Sequence, residues 1–334
     1  MLLKRGLAGL TVWALLAWGG PAEAVILLSE GWEGSCEQVQ GRWDKGSYYV
    51  GGQPASTGFP CGFGVFPSVE KQPMFLSSAI KYSGAQSLRQ NFQGNQDNPA
   101  TWFNGGGSTN KGFARSSEIW VTFYNYMQAP FYTGGSGQAG AVVTKGIYLY
   151  MQSATHCSIA SGSGFQSVPC GTAGSQLQVN GWVFQYFNGR KELWMAAQGL
   201  KDAPIPYGTH NLTSNVQAYV QLDNKWICYE AHIRLNVGGQ SNGLYEQYAT
   251  NMTDRGPTIL TARHVNRRFL GDTPNDTMPS DSQWRSMQMY RQAGLGQMYY
   301  DDITVSTTRI GCAGGGGPPV DSTPPGTVRN FQVQ

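Results

Sequence analysis

Apolar and polar residues alternate with a period of two along much of this chain. The pattern is sharpest in WICYEAHIRLN, Trp226 to Asn236, where Ile227, Tyr229, Ala231, Ile233 and Leu235 share one side. Trp226, Cys228, Glu230, His232 and Arg234 share the other. A pleated strand sends successive side chains to opposite faces, so an acid, an imidazole and a guanidinium are predicted to stand in one row. Strand-like runs recur at Val25–Leu28, Gln86–Phe92, Glu118–Met127, Gly146–Gln152, Trp182–Phe187, Glu192–Ala197, Val216–Leu222, Leu244–Thr250, Met287–Tyr290 and Gln297–Ser306. No stretch keeps an apolar period of 3.6, so no long helix is expected. Many strands with Gly, Asn and Ser between them predict an all-β, antiparallel two-sheet sandwich or jelly roll. Gly238 to Gly243 reads as a hairpin turn, with Asn242-Gly243 supplying positive φ angles.

The ends have a different texture. MLLKRG, an apolar run from Leu7 to Trp18 and Ala22-Glu23-Ala24 form a secretory signal peptide, residues 1–24, with cleavage expected after Ala24. The run is shorter than the ~20 residues a bilayer span needs, and no later segment is as apolar, so an exported protein without a membrane span is expected. A single domain is assigned to 25–312. Residues 313–334, AGGGGPPVDSTPPGTVRNFQVQ, read as a Gly/Pro linker whose end is similar to the first strand of a fibronectin type III domain, which points to a possible downstream module. Only 13% of residues are charged and the formal net charge is +3, too small an excess to argue for nucleic acid.

Six cysteines, Cys36, Cys61, Cys157, Cys170, Cys228 and Cys312, occur without a Cys-x-x-Cys pair. In an exported chain that favours disulfides over zinc, although fifteen pairings are possible. The expected set joins 36 to 61 and 157 to 170 as local staples and leaves 228 to 312.

Three stretches carry a family resemblance: WICYEAHIRLNVGGQSNGLYEQYATN, YYDDITVSTTRIG and YSGAQSLRQNF. Together they resemble the concanavalin A-like lectin/glucanase jelly roll, in the version found among bacterial polysaccharide lyases of the heparin lyase I and glucuronan lyase type. The resemblance implies two antiparallel sheets, one of them concave, and a groove that takes polysaccharide.

The residues offer a cast for such a groove. Tyr148, Tyr150 and Gln152 alternate on one strand, Trp120, Thr122, Tyr124 and Tyr126 on another, and Arg89 and Asn91 on a third. Exposed aromatic rows suit sugar rings, so Arg89, Trp120, Tyr124, Gln152, Glu230 and Gln247 are candidate glycan contacts. Lyase chemistry needs a base, an acid for the leaving oxygen and a donor that neutralises the uronate carboxylate. His232 suits the first task, Tyr148 or Tyr150 the second and Arg234 or Arg89 the third. Glu230 and Arg234 can also be read as partners in a surface ion pair worth under ~1 kcal/mol. The paired-carboxylate strand of retaining glucanases, Glu-x-Asp-x-x-Glu, is absent, which places hydrolysis below lysis. Arg255, Arg263, Arg267, Arg268, Arg285 and Arg291 form an Arg-rich loop region suited to anionic glycans. At YYDD, alternation sends Asp301 or Asp302 inward, where it needs a backbone turn, an Arg or calcium. No other cofactor is required. The expected function is binding of a polysaccharide, of an anionic kind, by an exported protein; the alternatives are a uronate-specific lyase and a structural surface or matrix protein.

Overall fold

The computed structural model describes residues 25–34, 43–44, 47–50, 53–56, 74–93, 100–103, 113–132, 143–153, 156–161, 164–169, 177–187, 190–197, 210–212, 219–273, 280–292 and 294–312, for part of them the backbone alone. The expected leader and the 313–334 tail lie outside these residues, as do Cys36, Cys61 and Cys170; of Cys157 only the backbone is described.

Among the described residues the chain forms strands and no helix. In order they are β1 (Ile26–Glu30), β2 (Trp43–Asp44), β3 (Ser47–Val50), β4 (Gln53–Ser56), β5 (Met74–Ser77), β6 (Ser87–Gln93) and β7 (Ala100–Phe103). Next come β8 (Glu118–Tyr132), β9 (Val143–Gln152), β10 (His156–Ser161), β11 (Gly164–Pro169), β12 (Leu177–Phe187) and β13 (Arg190–Ala197). The last are β14 (His210–Leu212), β15 (Trp226–Arg234), β16 (Gly243–Asn251), β17 (Ile259–Arg267), β18 (Gln283–Gln292) and β19 (Leu295–Ser306).

The first sheet runs β17-β16-β15-β8-β19-β6-β5, with β1 also on β19; the second runs β14-β13-β12-β9-β18-β7-β2. All pairings within them are antiparallel. From β6 to β9, and again from β17 to β19, each successive strand crosses to the other sheet, the connectivity of a jelly roll. Alternate apolar positions of both sheets fill the space between them: Ile119, Val121 and Phe123 of β8 and Ile227, Tyr229 and Ile233 of β15 share one core with Ile147, Leu149 and Met151 of β9. The expected two-sheet, disulfide-stapled architecture is the observed one.

Three local readings change. Within Val216–Leu222, the described residues 219–222 contain no strand. The supposed Arg-rich loop contains β17, which carries Arg263, His264 and Arg267 at the edge of the first sheet, where charged residues discourage pairing with another chain. The β15–β16 connection turns at Gly239, φ 75°, not at Asn242-Gly243. Asn242 instead accepts the Val237 N–H through Oδ1 at 2.9 Å. Gly243 is required by space: a Cβ there would meet the Arg267 carbonyl oxygen at 2.6 Å and the Phe269 ring at 2.8 Å.

Candidate functional site

Because Ile227, Tyr229, Ala231 and Ile233 enter the core, Cys228, Glu230, His232 and Arg234 lie on the face of the first sheet that turns away from it. Register fixes their neighbours. Trp120 and Glu246 flank His232, Thr122 and Tyr248 flank Glu230, and Tyr124 and Thr250 flank Cys228.

The imidazole is gripped from three sides. Its Nε2 lies 2.6 Å from Glu118 Oε1, its Nδ1 lies 3.3 Å from Glu246 Oε2, and its ring stacks on Trp120 with centroids 4.2 Å apart and planes 9° apart. Glu246 also receives Arg263 Nε at 3.0 Å and the Tyr248 hydroxyl at 3.3 Å. Negative, positive, negative and positive groups therefore alternate across four adjacent strands, β8, β15, β16 and β17. Burial pulls the His232 pKa down, but the bonds and charges of the two carboxylates outweigh it and hold it above its ordinary value. The bond to His232 in turn holds both Glu118 and Glu246 below the usual carboxylate range. Both ring nitrogens face carboxylate oxygens, an arrangement that favours the imidazolium form, in which neither nitrogen has a lone pair to offer a sugar.

Glu230 is 1% exposed and accepts two bonds from Arg309, Nε at 3.2 Å and Nη2 at 2.8 Å. The Arg309 guanidinium lies 4.4 Å from the Tyr248 ring centroid and 5.5 Å from that of Trp120. Arg234 is not the partner of Glu230. Four residues along one strand separate the two by about 13 Å, and Arg234 donates to the Asn242 carbonyl oxygen at 3.4 Å. Three residues beyond Arg309, Cys312 is bonded to Cys228, so the segment after β19 folds back over the row. That bond is the expected one.

Farther along the same face, Tyr124 joins Cys228, Cys312, Trp226 and Tyr299 in a second apolar cluster, with Tyr82 stacked on Tyr124 at 4.1 Å. Arg89 bonds Asn91 at 3.0 Å and lies over the rings of Phe75 and Tyr299. Neither aspartate of YYDD enters the core. Asp302 adopts φ 42° where the β8–β19 register shifts, so Tyr300 and Ile303, three apart, are the core residues. Asp301 is wholly buried and is met by a backbone turn: the N–H groups of Tyr82, Ser83 and Asp302 donate to it at 2.8, 3.2 and 2.9 Å. Burial pushes its pKa up to about 7. Among the described residues no three His, Cys, Asp or Glu side chains gather around a possible metal position.

The tyrosines expected beside His232 lie elsewhere. Ile147, Leu149 and Met151 of β9 enter the core, which leaves Tyr148 and Tyr150 on the opposite face of the second sheet. Both are buried there, at 3% and 5% exposure. Their register partners are Gln288 and Gly181 for Tyr148 and Ser286 and Gln178 for Tyr150, while the Gln152 backbone pairs with Gln283. The whole core thus separates them from His232, Trp120, Tyr124, Glu230, Arg234 and Arg89. Gln247 belongs to neither outward face. It pairs with Ala231 and points between the sheets, where its Nε2 donates to the Leu193 carbonyl oxygen at 3.3 Å and to Thr261 Oγ1 at 3.0 Å.

Arg309 and Tyr248 escaped notice in the sequence, and Arg263 entered it only as part of the Arg-rich region. A signal for Arg309 was present: pairing Cys228 with Cys312 brings position 309 near Glu230, two residues from Cys228 on the same face.

No known family pattern matches the chain, and no curated protein matches its sequence. Solved structures with a similar fold include the PL-14 alginate lyase of Aplysia kurodai, at 12% identity and TM-score 0.43, covering 70% of this chain and 86% of that one. Another is the endo-β-1,4-glucuronan lyase of the fungus Trichoderma reesei, at 12% identity and TM-score 0.43, covering 72% and 89%. A third is the globular domain of T. cruzi calreticulin, at 12% identity and TM-score 0.42, covering 85% and 89%. The two-sheet architecture itself stands on the strand pairing described above. No helix among the described residues is long and apolar enough to cross a membrane.

Proposed function

We propose that the protein is an exported carbohydrate-recognition protein that binds polysaccharide, of an anionic kind, across β9, β12 and β18 on the outward face of the second sheet. The observation that carries this reading is the row Tyr148, Tyr150 on the central strand, bordered in register by glutamine, serine and glycine positions. At 3% and 5% exposure the two phenols lie beneath the surface, so they are proposed to shape the floor of the sugar-binding face, not to stack openly on a sugar ring. The outward face of the first sheet is committed internally through the His232 ladder, the Arg309–Glu230 pair and the Cys228–Cys312 bond. The arginines Arg255, Arg263, Arg267, Arg268, Arg285 and Arg291, gathered late in the chain, support the anionic kind. The lyase alternative loses its base, because His232 stands across the core from both tyrosines with its two nitrogens engaged.

The test is a glycan panel that includes uronate polymers, probed with wild type, Tyr148→Ala/Tyr150→Ala and Trp120→Phe, each checked for folding by thermal melting. Wild type and Trp120→Phe are expected to bind, and the folded double variant to lose at least about tenfold in affinity, as loss of the floor beneath the face implies. Absorbance of an unsaturated product moves the assignment to a lyase. A wild type that binds no glycan removes the reading and leaves a structural surface protein.

A further inference from the structure

The ladder, the ion pair and the disulfide on the outward face of the first sheet all involve β15. Farther across the same face, β8, β19 and β6 form a second neighbourhood. Met127 and Phe131 of β8 and Met298 and Tyr300 of β19 enter the core, so Tyr126, Gln128, Tyr132, Gln297 and Tyr299 stand on the outward side. Register sets them in rows: Tyr126 opposite Tyr299, Gln128 opposite Gln297, and Tyr132 opposite Leu295. Tyr299 is the floor, at 2% exposure, with the half-buried Tyr126 ring edge-on to it at 5.9 Å. Tyr132 and Leu295 are open to water, at 45% and 42% exposure.

The two glutamines share one phenol. The Tyr299 hydroxyl lies 3.0 Å from Gln128 Oε1 and 2.9 Å from Gln297 Oε1. A phenol has a single proton, so it donates to one carboxamide oxygen only, and the other glutamine meets the phenol oxygen with its N–H. The first glutamine then turns its NH2 group outward and the second its carbonyl oxygen. Among the described residues neither side chain has a further hydrogen-bond partner. A donor and an acceptor on directly paired residues, fixed at their base by one buried hydroxyl, match two adjacent hydroxyls of a sugar, each of which can give one hydrogen bond and take another. Beside them Tyr132 and Leu295 offer an exposed apolar strip to the C–H face of a sugar ring. These contact groups are all uncharged. The charged residue in register with Tyr299, Arg89, is turned to Asn91 and lies over the Phe75 ring, so the chemistry fits a neutral sugar.

We propose that Gln128 and Gln297, with Tyr132 and Leu295 beside them, form a glycan site for neutral sugars with adjacent hydroxyls, across the core from Tyr148 and Tyr150. The site stands independently of the second-sheet reading. Wild type, Gln128→Leu/Gln297→Leu, Tyr132→Ser/Leu295→Ser and Tyr148→Ala/Tyr150→Ala, each checked for folding by thermal melting, are titrated with neutral gluco-, manno- and galacto-oligosaccharides and with polyglucuronate. Wild type is expected to bind at least one neutral oligosaccharide. The folded glutamine variant should bind it about tenfold more weakly, the size of two neutral hydrogen bonds. The serine variant, whose changes lie at the surface and leave Tyr299 its partners, should bind it more weakly too. Both should keep the wild-type affinity for polyglucuronate, and Tyr148→Ala/Tyr150→Ala should keep the neutral affinity. A wild type that binds no neutral sugar overturns the site, as does neutral binding that survives in either folded first-sheet variant or is lost in the folded second-sheet one. A wild-type dimer that a first-sheet variant separates in sedimentation gives the face to a second copy of the chain and overturns the site as well. Neutral binding that follows this pattern, in a protein that ignores polyglucuronate, sustains the site and removes the anionic reading of the other face.

Discussion

Replacing His232 with Gln separates a structural cation from a catalytic base. The substitution removes a positive charge that sits 2.6 Å from Glu118 and 3.3 Å from Glu246. The Glu118 side chain is 42% exposed, so its half of the clamp is worth about 0.5 to 1 kcal/mol after solvent screening. The Glu246 side chain is 13% exposed, and a charge-assisted bond in that setting is worth about 1.5 to 3 kcal/mol. Together they give a loss of about 2 to 4 kcal/mol. The sign with pH follows from the shifts. The His232 pKa is raised in the folded state, so its contribution is full below the unfolded value and is lost as pH rises through the folded value. Those of Glu118 and Glu246 are lowered, so their contribution is present above the unfolded carboxylate value and is lost as pH falls through the folded one. Urea denaturation near pH 5.5 and near pH 9 should therefore show His232→Gln well below wild type at the first and close to it at the second. Glycan binding should be unchanged. An equal gap at both pH values, or lost glycan processing with unaltered stability, would refute the clamped-imidazolium account.

Asp301→Asn should act with pH in a related way. The acid is pushed from 3.8 to about 7, which at about 1.4 kcal/mol per unit makes its ionisation cost on the order of 4 kcal/mol. Wild type should lose that much relative to the variant between about pH 4 and pH 8; a difference that does not change with pH would mean that the three backbone N–H groups keep Asp301 ionised throughout. Removing the Cys228–Cys312 bond, which spans 84 residues, should lower stability by about 4.5 kcal/mol on the chain-entropy account. Chemical denaturation of the double Ala variant measures it, and a loss under about 1 kcal/mol would show that the Arg309–Glu230 pair holds the strap unaided.

Alternation along the sequence was enough to place β15, β8, β9, β16 and β19, because a strand with one side in the core must repeat its apolar residues every second position. It failed where geometry is not periodic: the left-handed Asp302 defeated the inward assignment of the YYDD pair, and β17 hid its pattern behind the charges of an edge strand. The Cys228–Cys312 bond was legible only as the pair left over once 36 to 61 and 157 to 170 are read as local staples. What parity cannot tell is which sheet a strand joins. His232 and Tyr148 both read as outward-facing, and both are, but each sheet has its own outward side and the core lies between them. Local sequence thus determined the strands and the two sides of each. Only the tertiary pairing, set by contacts between residues far apart in the chain, decided that the imidazole is a rung in a charge ladder and that the tyrosines lie on the outward side of the other sheet.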